Sequence, residues 1–438
     1  MKGKRMKGIL VTGFALFAMF FGAGNLILPA MLGVNAGGSA WVAILGFLAT
    51  GVLLPVAGMV AMATQRKGEK LFANRIGSGL GWTLTLLIFL STGMLYAIPR
   101  IAAVSFEMAV APLTGPSSTA LITYTIIFFA AAAAVVLRPS RLIEVVGGWL
   151  TPVLLVLLVM LIVGSFTLDP QGHTATGAYA GNAFAAGVVE GYFTMDAIAA
   201  LVFGTVITMS LAQRGFHGKQ NMKATAMAGV IAGLLLALVY LGLVQVGQVG
   251  SGSNGAAVIA GIATAVFGRG GQVVFGLIAV LACFTTSVGL LSASTDYFNK
   301  LVPSVDRRLW LAIHLIVALP LSNLGLERIL QVVAPLNQLL YPVTIVLILA
   351  ALLDAVVPTR FFWAYRLPAW TAAVISVPVA LVSTGAAVFA PVNNYLSMLP
   401  LGAEMMPWVV PSLVMFVVGY LADAFVVKAD TVVAEYAY

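Results

Sequence analysis

Three short stretches of this chain carry residues that could do chemistry together. The first is Phe20-Phe21-Gly22-Ala23-Gly24-Asn25, with Pro29 one turn further on. Two glycines beside an asparagine weaken a helix, and Pro29 lacks an N–H and clashes with the carbonyl four residues before it. A helix opened there would free amide hydrogens and carbonyl oxygens for a ligand. The same small residues would equally serve a close helix–helix contact of the small-xxx-small kind. The second stretch is Glu190-Gly191-Tyr192-Phe193-Thr194-Met195-Asp196, where the Asp196 carboxylate is followed by a long run of apolar and small residues. The third is Ala282-Cys283-Phe284-Thr285-Thr286-Ser287. The Ala282 carbonyl and the Thr285 and Thr286 hydroxyls would offer three oxygens one turn apart, ligands that suit a small hard cation. Alternatively, each hydroxyl bonds back to a carbonyl of its own helix.

The elements that position these residues follow from composition. Of 438 residues, 61% are hydrophobic and only 8% are charged, with a mean hydropathy of +1.07. A soluble domain carries about 25% charged residues, so a soluble enzyme, a disordered chain and a secreted disulfide scaffold are excluded. Cys283 is the one cysteine and forms no intrachain disulfide. The chain reads as an all-α polytopic membrane protein with spans of about 20 residues each. Breaks in hydropathy place twelve of them near 9–33, 39–64, 80–112, 119–137, 145–167, 186–212, 224–248, 271–299, 308–325, 328–353, 367–390 and 407–427. The apolar piece 256–267 is too short to span and reads as a re-entrant or outer-surface helix. The basic N-terminus with its apolar run imitates a signal peptide, but the run is too long for one, so it reads as a retained first helix.

Nineteen of the twenty-two Lys and Arg residues fall in alternate loops. They are Lys2, Lys4, Arg5 and Lys7; Arg66, Lys67, Lys70 and Arg75; Arg138 and Arg141; Arg214, Lys219 and Lys223; Lys300, Arg307 and Arg308; Arg360 and Arg366; and Lys428. Only Arg100, Arg269 and Arg328 fall elsewhere. The positive-inside rule then puts both termini in the cytoplasm. The net charge of +8 is mostly topological, so lipid surrounds the protein and nucleic acid is not expected as a partner. Asp196 lies at bilayer depth, where a carboxylate points to function, the other reading being a structural cap. The first and sixth spans are five apart. Two five-helix units in series therefore have opposite orientations, and paired interruptions point to a midplane site of an inverted-repeat carrier.

At these residues the chain resembles the bacterial branched-chain amino acid:cation symporters, the BrnQ-type carriers. The resemblance rests on FFGAGNLILP, GFLATGVLLPVAG, YAIPRIAAVSFE, EGYFTMDAIAALVFG, VYLGL, LACFTTSVGLLSASTDYF, SNLGLERI and the later LYP, in the family's order from residue 20 to about residue 342. One departure is STGMLYAIPR, where a Gly-Pro pair is expected and Thr92-Gly93-Met94 stands. That puts the local bend in question. The family in turn is similar to carriers of the LeuT fold, a 5+5 inverted repeat with two peripheral helices. The resemblance thus implies repeats at 9–167 and 186–353 and peripheral helices at 367–427.

Residue by residue, the resemblance implies that Gly22, Ala23, Gly24 and Asn25 form the opened part of the first span and hold the substrate carboxylate. Tyr96 would lie over that carboxylate. Phe193, Thr194 and Asp196 would form the opened part of the sixth span. Asp196 stands where related amino acid carriers more often have a small polar residue; from its chemistry, a carboxylate there is expected to pair with the substrate ammonium or to take part in cation coupling. Phe20, Phe193, Met195 and Leu290 would enclose a branched aliphatic side chain. Such a pocket separates ligands by only about 1–3 kcal/mol per methylene, so leucine, isoleucine and valine are all expected substrates. Ala18, Phe21 and Ala282 would give carbonyls, and Thr285 and Thr286 hydroxyls, to a sodium ion. No other cofactor is implied, and the expected location is the bacterial inner membrane.

Other charges have weaker patterns. Arg100 and Glu107, seven residues apart on one face of the third span toward its outer end, read as a structural pair or a solvated helix end rather than an outer gate. Asp296 is expected to pair with Lys300 at helical spacing. His173, His217 and His314 lack ligand spacing for a metal. Glu190 is placed to cap or shape the outer half of the sixth span. Competing functions are a proton-coupled carrier of other small amino acids, with Asp196 titrating, and a channel or sensor on the same scaffold. A channel would show a continuous polar stripe, and a sensor a soluble output domain; neither is visible. An enzyme is not expected, since no hydrolase constellation and no P-loop occur. Loss of leucine uptake, or of its ion dependence, in Asp196→Asn is the expected result of a flux assay; unchanged transport would remove Asp196 from the site.

Overall fold

The computed structural model describes residues 2–64, 73–115, 117–324, 326–357, 361–384 and 387–425. Arg66, Lys67, Lys70, Arg360 and Lys428 of the charge map lie outside the described residues, as do the side chains of Lys2, Lys4 and Arg328. Among the described residues the chain is all helix, with no strand. The helices run α1 (Lys2–Phe20), α2 (Ala23–Ala36), α3 (Ala40–Leu48), α4 (Leu54–Thr64), α5 (Ser78–Leu90), α6 (Ala97–Ala109), α7 (Ser118–Val136), α8 (Pro139–Val145) and α9 (Thr151–Ser165). They continue with α10 (Ala183–Tyr192), α11 (Asp196–Gln213), α12 (Lys219–Val249), α13 (Gly255–Phe267), α14 (Gly271–Leu301), α15 (Arg307–Ser322), α16 (Leu326–Asp354), α17 (Trp363–Ser383) and α18 (Val409–Phe425).

Helix occupies each of the twelve spans expected from hydropathy, in one piece or two. By length and composition alone, nine helical runs among the described residues can cross a membrane. Two of these, Ala23–Ala63 and Gly255–Leu301, pass through tight 3₁₀ turns at Gly37–Ser39 and Gly268–Gly270, so each contains more than one straight helix. Large apolar side chains such as Trp149, Ile127, Leu238 and Val374 are exposed. Hydrocarbon, not water, is the solvent that tolerates such a surface.

The chain divides into two compact units, Met1–Met59 with Thr92–Ile329, and Val60–Ser91 with Leu330–Tyr438. Inside the first unit, glycines let backbones approach closely. A Cβ on Gly33 of α2 would meet the Val244 carbonyl at 2.4 Å, and one on Gly247 of α12 would meet the Ala30 carbonyl at 2.0 Å. Gly187 of α10 packs likewise on the Ala43 carbonyl of α3. Gln248 of α12 donates to the Gly33 carbonyl and to the Gly37 carbonyl at 3.0 Å, meeting oxygens that the end of α2 leaves unpaired.

Helices here are opened by wide π-type turns at Ala49–Leu53, Ser91–Leu95 and Val146–Leu150. The second of these answers the missing Gly-Pro pair. Gly93 takes a non-helical conformation (φ −91°, ψ −128°), and its absent Cβ would collide with Ser294 Oγ at 2.4 Å. The bend is therefore present without proline, held by a close contact that only glycine allows.

In the second unit, Asp423 of α18 accepts from the backbone amides of Phe362, Trp363 and Ala364 at 2.8, 2.8 and 3.0 Å. These are the orphan amides at the start of α17, so a carboxylate from another helix caps it. Arg75 pairs with Asp354 at 3.3 Å. Its guanidinium also lies 5.0 Å from the Tyr365 ring centroid.

Gly247→Val should cost about 1–3 kcal/mol or more, because the obstacle is backbone rather than a movable side chain. Gly261→Ala, with open space around its Cβ, should be neutral. Thermal unfolding of the purified variants separates the two.

Candidate functional site

The first span opens where its sequence is weakest. α1 ends at Phe20, and the Gly22 amide turns to the Phe20 carbonyl at 2.8 Å instead of reaching back to Ala18. Gly22 is extended (φ −94°, ψ −169°), and α2 starts at Ala23. This leaves the Ala18 carbonyl without its helical partner. Thr285 Oγ1 of α14 lies 2.8 Å from that oxygen and Thr286 Oγ1 lies 3.4 Å from it. Thr285 Oγ1 is also 2.9 Å from the Leu281 carbonyl and 3.1 Å from the Ala282 carbonyl, and Thr286 Oγ1 is 3.0 Å from the latter.

Two hydroxyl protons thus face three carbonyls, so lone pairs outnumber hydrogens. A buried cluster of that kind is complementary to a cation with oxygen ligands. Ala18, Ala282, Thr285 and Thr286 come together in it. Phe21, expected to contribute a carbonyl, has its ring stacked on Phe17 at 5.4 Å and facing Tyr240 at 6.3 Å. A Cβ on Gly22 would meet Thr286 Oγ1 at 3.3 Å, so this glycine keeps the opened backbone close to the hydroxyls.

The sixth span is opened as well. α10 ends at Tyr192, Thr194 Oγ1 donates back to the Gly191 carbonyl at 2.9 Å, and Met195 is left-handed (φ 59°, ψ 21°). A methionine in that conformation is uncommon and strained. Asp196 then begins α11 and is buried. Its carboxylate accepts from Asn25 Nδ2 at 2.5 Å. The second hydrogen of the same amide goes to Tyr240 Oη at 2.6 Å. One side chain from the first break therefore joins the second break to α12.

Around this junction, Phe20 packs edge-on against Phe203 at 5.4 Å and Leu290 of α14 is buried. Phe193 is half-buried, with its ring edge-on to Tyr192. Ala23 is buried, and a Cβ on Gly24 would meet open space. Tyr96 stands at the start of α6 and is buried.

Two expectations about charge change. Arg100 does not pair with Glu107; its Nη1 donates to Tyr96 Oη at 2.6 Å, whereas Glu107 is exposed. The two residues are two turns apart, and the tyrosine one turn away is nearer. Asp296 pairs not with Lys300 but with Arg307 Nε at 2.6 Å. Arg307 also reaches the Val136 carbonyl at 2.9 Å and Ser292 Oγ at 3.4 Å, anchors that a lysine on the same helix as Asp296 would lack. His314, fully buried, receives a hydrogen bond from Ser294 at 2.8 Å and donates from Nδ1 to the Trp310 carbonyl at 2.7 Å. Among the described residues no cluster of His, Cys, Asp or Glu could hold a metal.

Sequence reasoning missed Tyr240. Tyrosines near span ends read as interface anchors, but Tyr240 lies well inside the 31-residue α12 and is fully buried. A phenol far from both ends of a span was the available signal.

Comparison with known proteins gives four matches. The family described as branched-chain amino acid transport protein matches residues 5–426. The chain is 38% identical over 420 residues to the branched-chain amino acid permease BrnQ of Corynebacterium glutamicum, covering 95% of each. It is 32% identical over 448 residues to a putative branched-chain amino acid carrier protein of Staphylococcus saprophyticus, covering 98% of this chain and 99% of that one. Among solved structures it is similar in fold to MHP1, a nucleobase-cation-symport-1 family transporter in a closed conformation with bromovinylhydantoin bound. The TM-score is 0.57 at 14% identity, over 98% of this chain and 95% of the other. That likeness establishes a LeuT-like fold and nothing about ligand.

Tyr240→Phe should leave one Asn25 amide hydrogen buried without an acceptor, a cost of about 1–3 kcal/mol. The expected outcome is a lower unfolding temperature and weaker leucine binding. Asn25→Ala, which removes the donor as well as the link, should lose binding entirely.

Proposed function

The chain belongs to the branched-chain amino acid transport protein family, and on that premise we propose that it is a secondary transporter importing leucine, isoleucine and valine by sodium symport. The observation that carries sodium is the meeting of the Ala18 and Ala282 carbonyls with the Thr285 and Thr286 hydroxyls at the opened first span. These are uncharged oxygen donors, which suit a monovalent hard cation rather than a transition metal. The substrate binds one step away along the same opened backbone. Its carboxylate takes the free amides at the start of α2, aided by the positive end of that helix. Its ammonium takes Asp196, and Phe20, Phe193, Met195 and Leu290 enclose the aliphatic chain.

Coupling follows from shared residues. The cation and the amino acid use opposite sides of one opened segment, Phe20–Asn25, so each orders the backbone that the other needs. Alternating access then moves the two breaks together. In this reading 9–167 and 186–353 are the inverted repeats, 367–427 the peripheral helices, and both termini face the cytoplasm of a bacterium. A second reading, proton coupling with Asp196 titrating, is favoured by one observation: no cationic side chain pairs with that carboxylate among the described residues.

Leucine uptake into proteoliposomes, with sodium and pH gradients imposed separately, tests both. Sodium-driven uptake that Thr285→Val abolishes is expected. Uptake driven by pH alone and lost in Asp196→Asn supports the proton reading, and no saturable uptake of leucine, isoleucine or valine under either gradient overturns both.

A further inference from the structure

We propose that Arg100 recognises the carboxylate of the transported amino acid, as a specificity-determining residue and not as an outer gate. The inference rests on the amino-acid reading above and adds a residue to it.

Arg100 stands one turn into α6, directly after the bend at Ser91–Leu95. Its guanidinium lies over the Tyr96 ring, 5.2 Å from the centroid, and its Nη1 donates to Tyr96 Oη at 2.6 Å. A guanidinium has five N–H donors, and this bond uses one. Because Tyr96 Oη accepts from Arg100, its own hydrogen remains to be donated. Arg100 and Tyr96 therefore present donors side by side, the pattern that grips a planar carboxylate.

Among the described residues no carboxylate takes that position. Among the described residues Arg100 forms no ion pair, and the acid on its own helix, Glu107, is exposed. An arginine in an apolar span is costly unless an anion or water meets it. The same holds with opposite sign for Asp196, buried at the start of α11 with an amide and no cation beside it. One zwitterion supplies both missing partners at once.

Position supports the pairing. α6 packs along α14, and α2 touches both of these helices. The opened first span and the helix that carries Arg100 thus meet at α14. Open space lies beside Gly24, the next residue of the opened segment.

The test compares leucine with leucinamide, which keeps the ammonium and side chain but replaces the carboxylate by a neutral amide. Binding of each is measured by competition with labelled leucine on the purified full-length protein in sodium. The wild type should prefer leucine strongly. Arg100→Gln should narrow that preference by roughly 10- to 100-fold, through weaker leucine binding with leucinamide little changed. Arg100→Lys keeps the charge without the fork, so its preference should lie between the two; it carries the same test if the glutamine variant does not fold.

A gating or packing role would weaken both ligands together. A preference unchanged in both variants, or equal losses for leucine and leucinamide, overturns the inference. A wild type that binds no leucine overturns the amino-acid reading itself.

Discussion

Within a bilayer a backbone group that leaves its helix must find another partner inside the protein or line a cavity. The opening at Phe21–Gly22 is where this constraint organises the rest of the site. Once the Gly22 amide turns to Phe20, the Ala18 carbonyl is orphaned, and α14 must bring hydroxyls to it. That requirement fixes the register of α14 against α1, and with it the positions of Ala282, Leu290 and Cys283. Gly289 makes the approach feasible: a Cβ there would collide with Met19 and Phe203. The cluster of hydroxyls and carbonyls is thus a consequence of breaking a helix in a place without water.

The two buried aspartates illustrate how the same side chain serves different ends. Asp423 accepts three backbone amides at the start of α17, which engages both of its oxygens and makes it a structural cap. Asp196 also sits at a helix start, yet it accepts from a side-chain amide of a different span. A cap that uses the local amides stabilises its helix whatever is bound. A carboxylate shared with Asn25 instead ties its own break to the first one. Tyr240 holds this link in place from α12, its ring packed edge-on against Phe47 at 5.3 Å.

Much of this was legible in the sequence, and the division between what was and was not has a physical cause. Span positions follow from hydropathy because lipid demands long apolar runs. Both breaks follow from local chemistry, the glycines and Pro29 in one and a carboxylate at bilayer depth in the other. The Ala-x-x-Thr-Thr spacing is set by one helix turn and needs no tertiary knowledge. By contrast, Arg307 as the partner of Asp296, Asp423 as the cap of α17, and Tyr240 as the support of Asn25 all join residues far apart in the chain. Periodicity along one helix carries no information about such pairs. The expected bend in the third span shows the reverse: the Gly-Pro signal is missing, but Gly93 bends because Ser294 occupies the space a Cβ would need.

The strain at Met195 closes the physical account. A left-handed methionine costs of order 1–3 kcal/mol, and a glycine would remove that cost. Relief would also release the short α10 to adopt other angles, because glycine admits many backbone states. The opposite arrangement is built around it. Gly187 and Gly191 seat α10 against the backbone of the second span, at Ala43 and Phe47, where any side chain would clash. Thr194 and Met195 bond back to Gly191 and Tyr192. Flexible residues therefore lie where backbones must touch, and a stiff one lies where the chain must turn. The turn that presents Asp196 is over-determined by its surroundings, which keeps the carboxylate in place even though it stands at a gap in the helix.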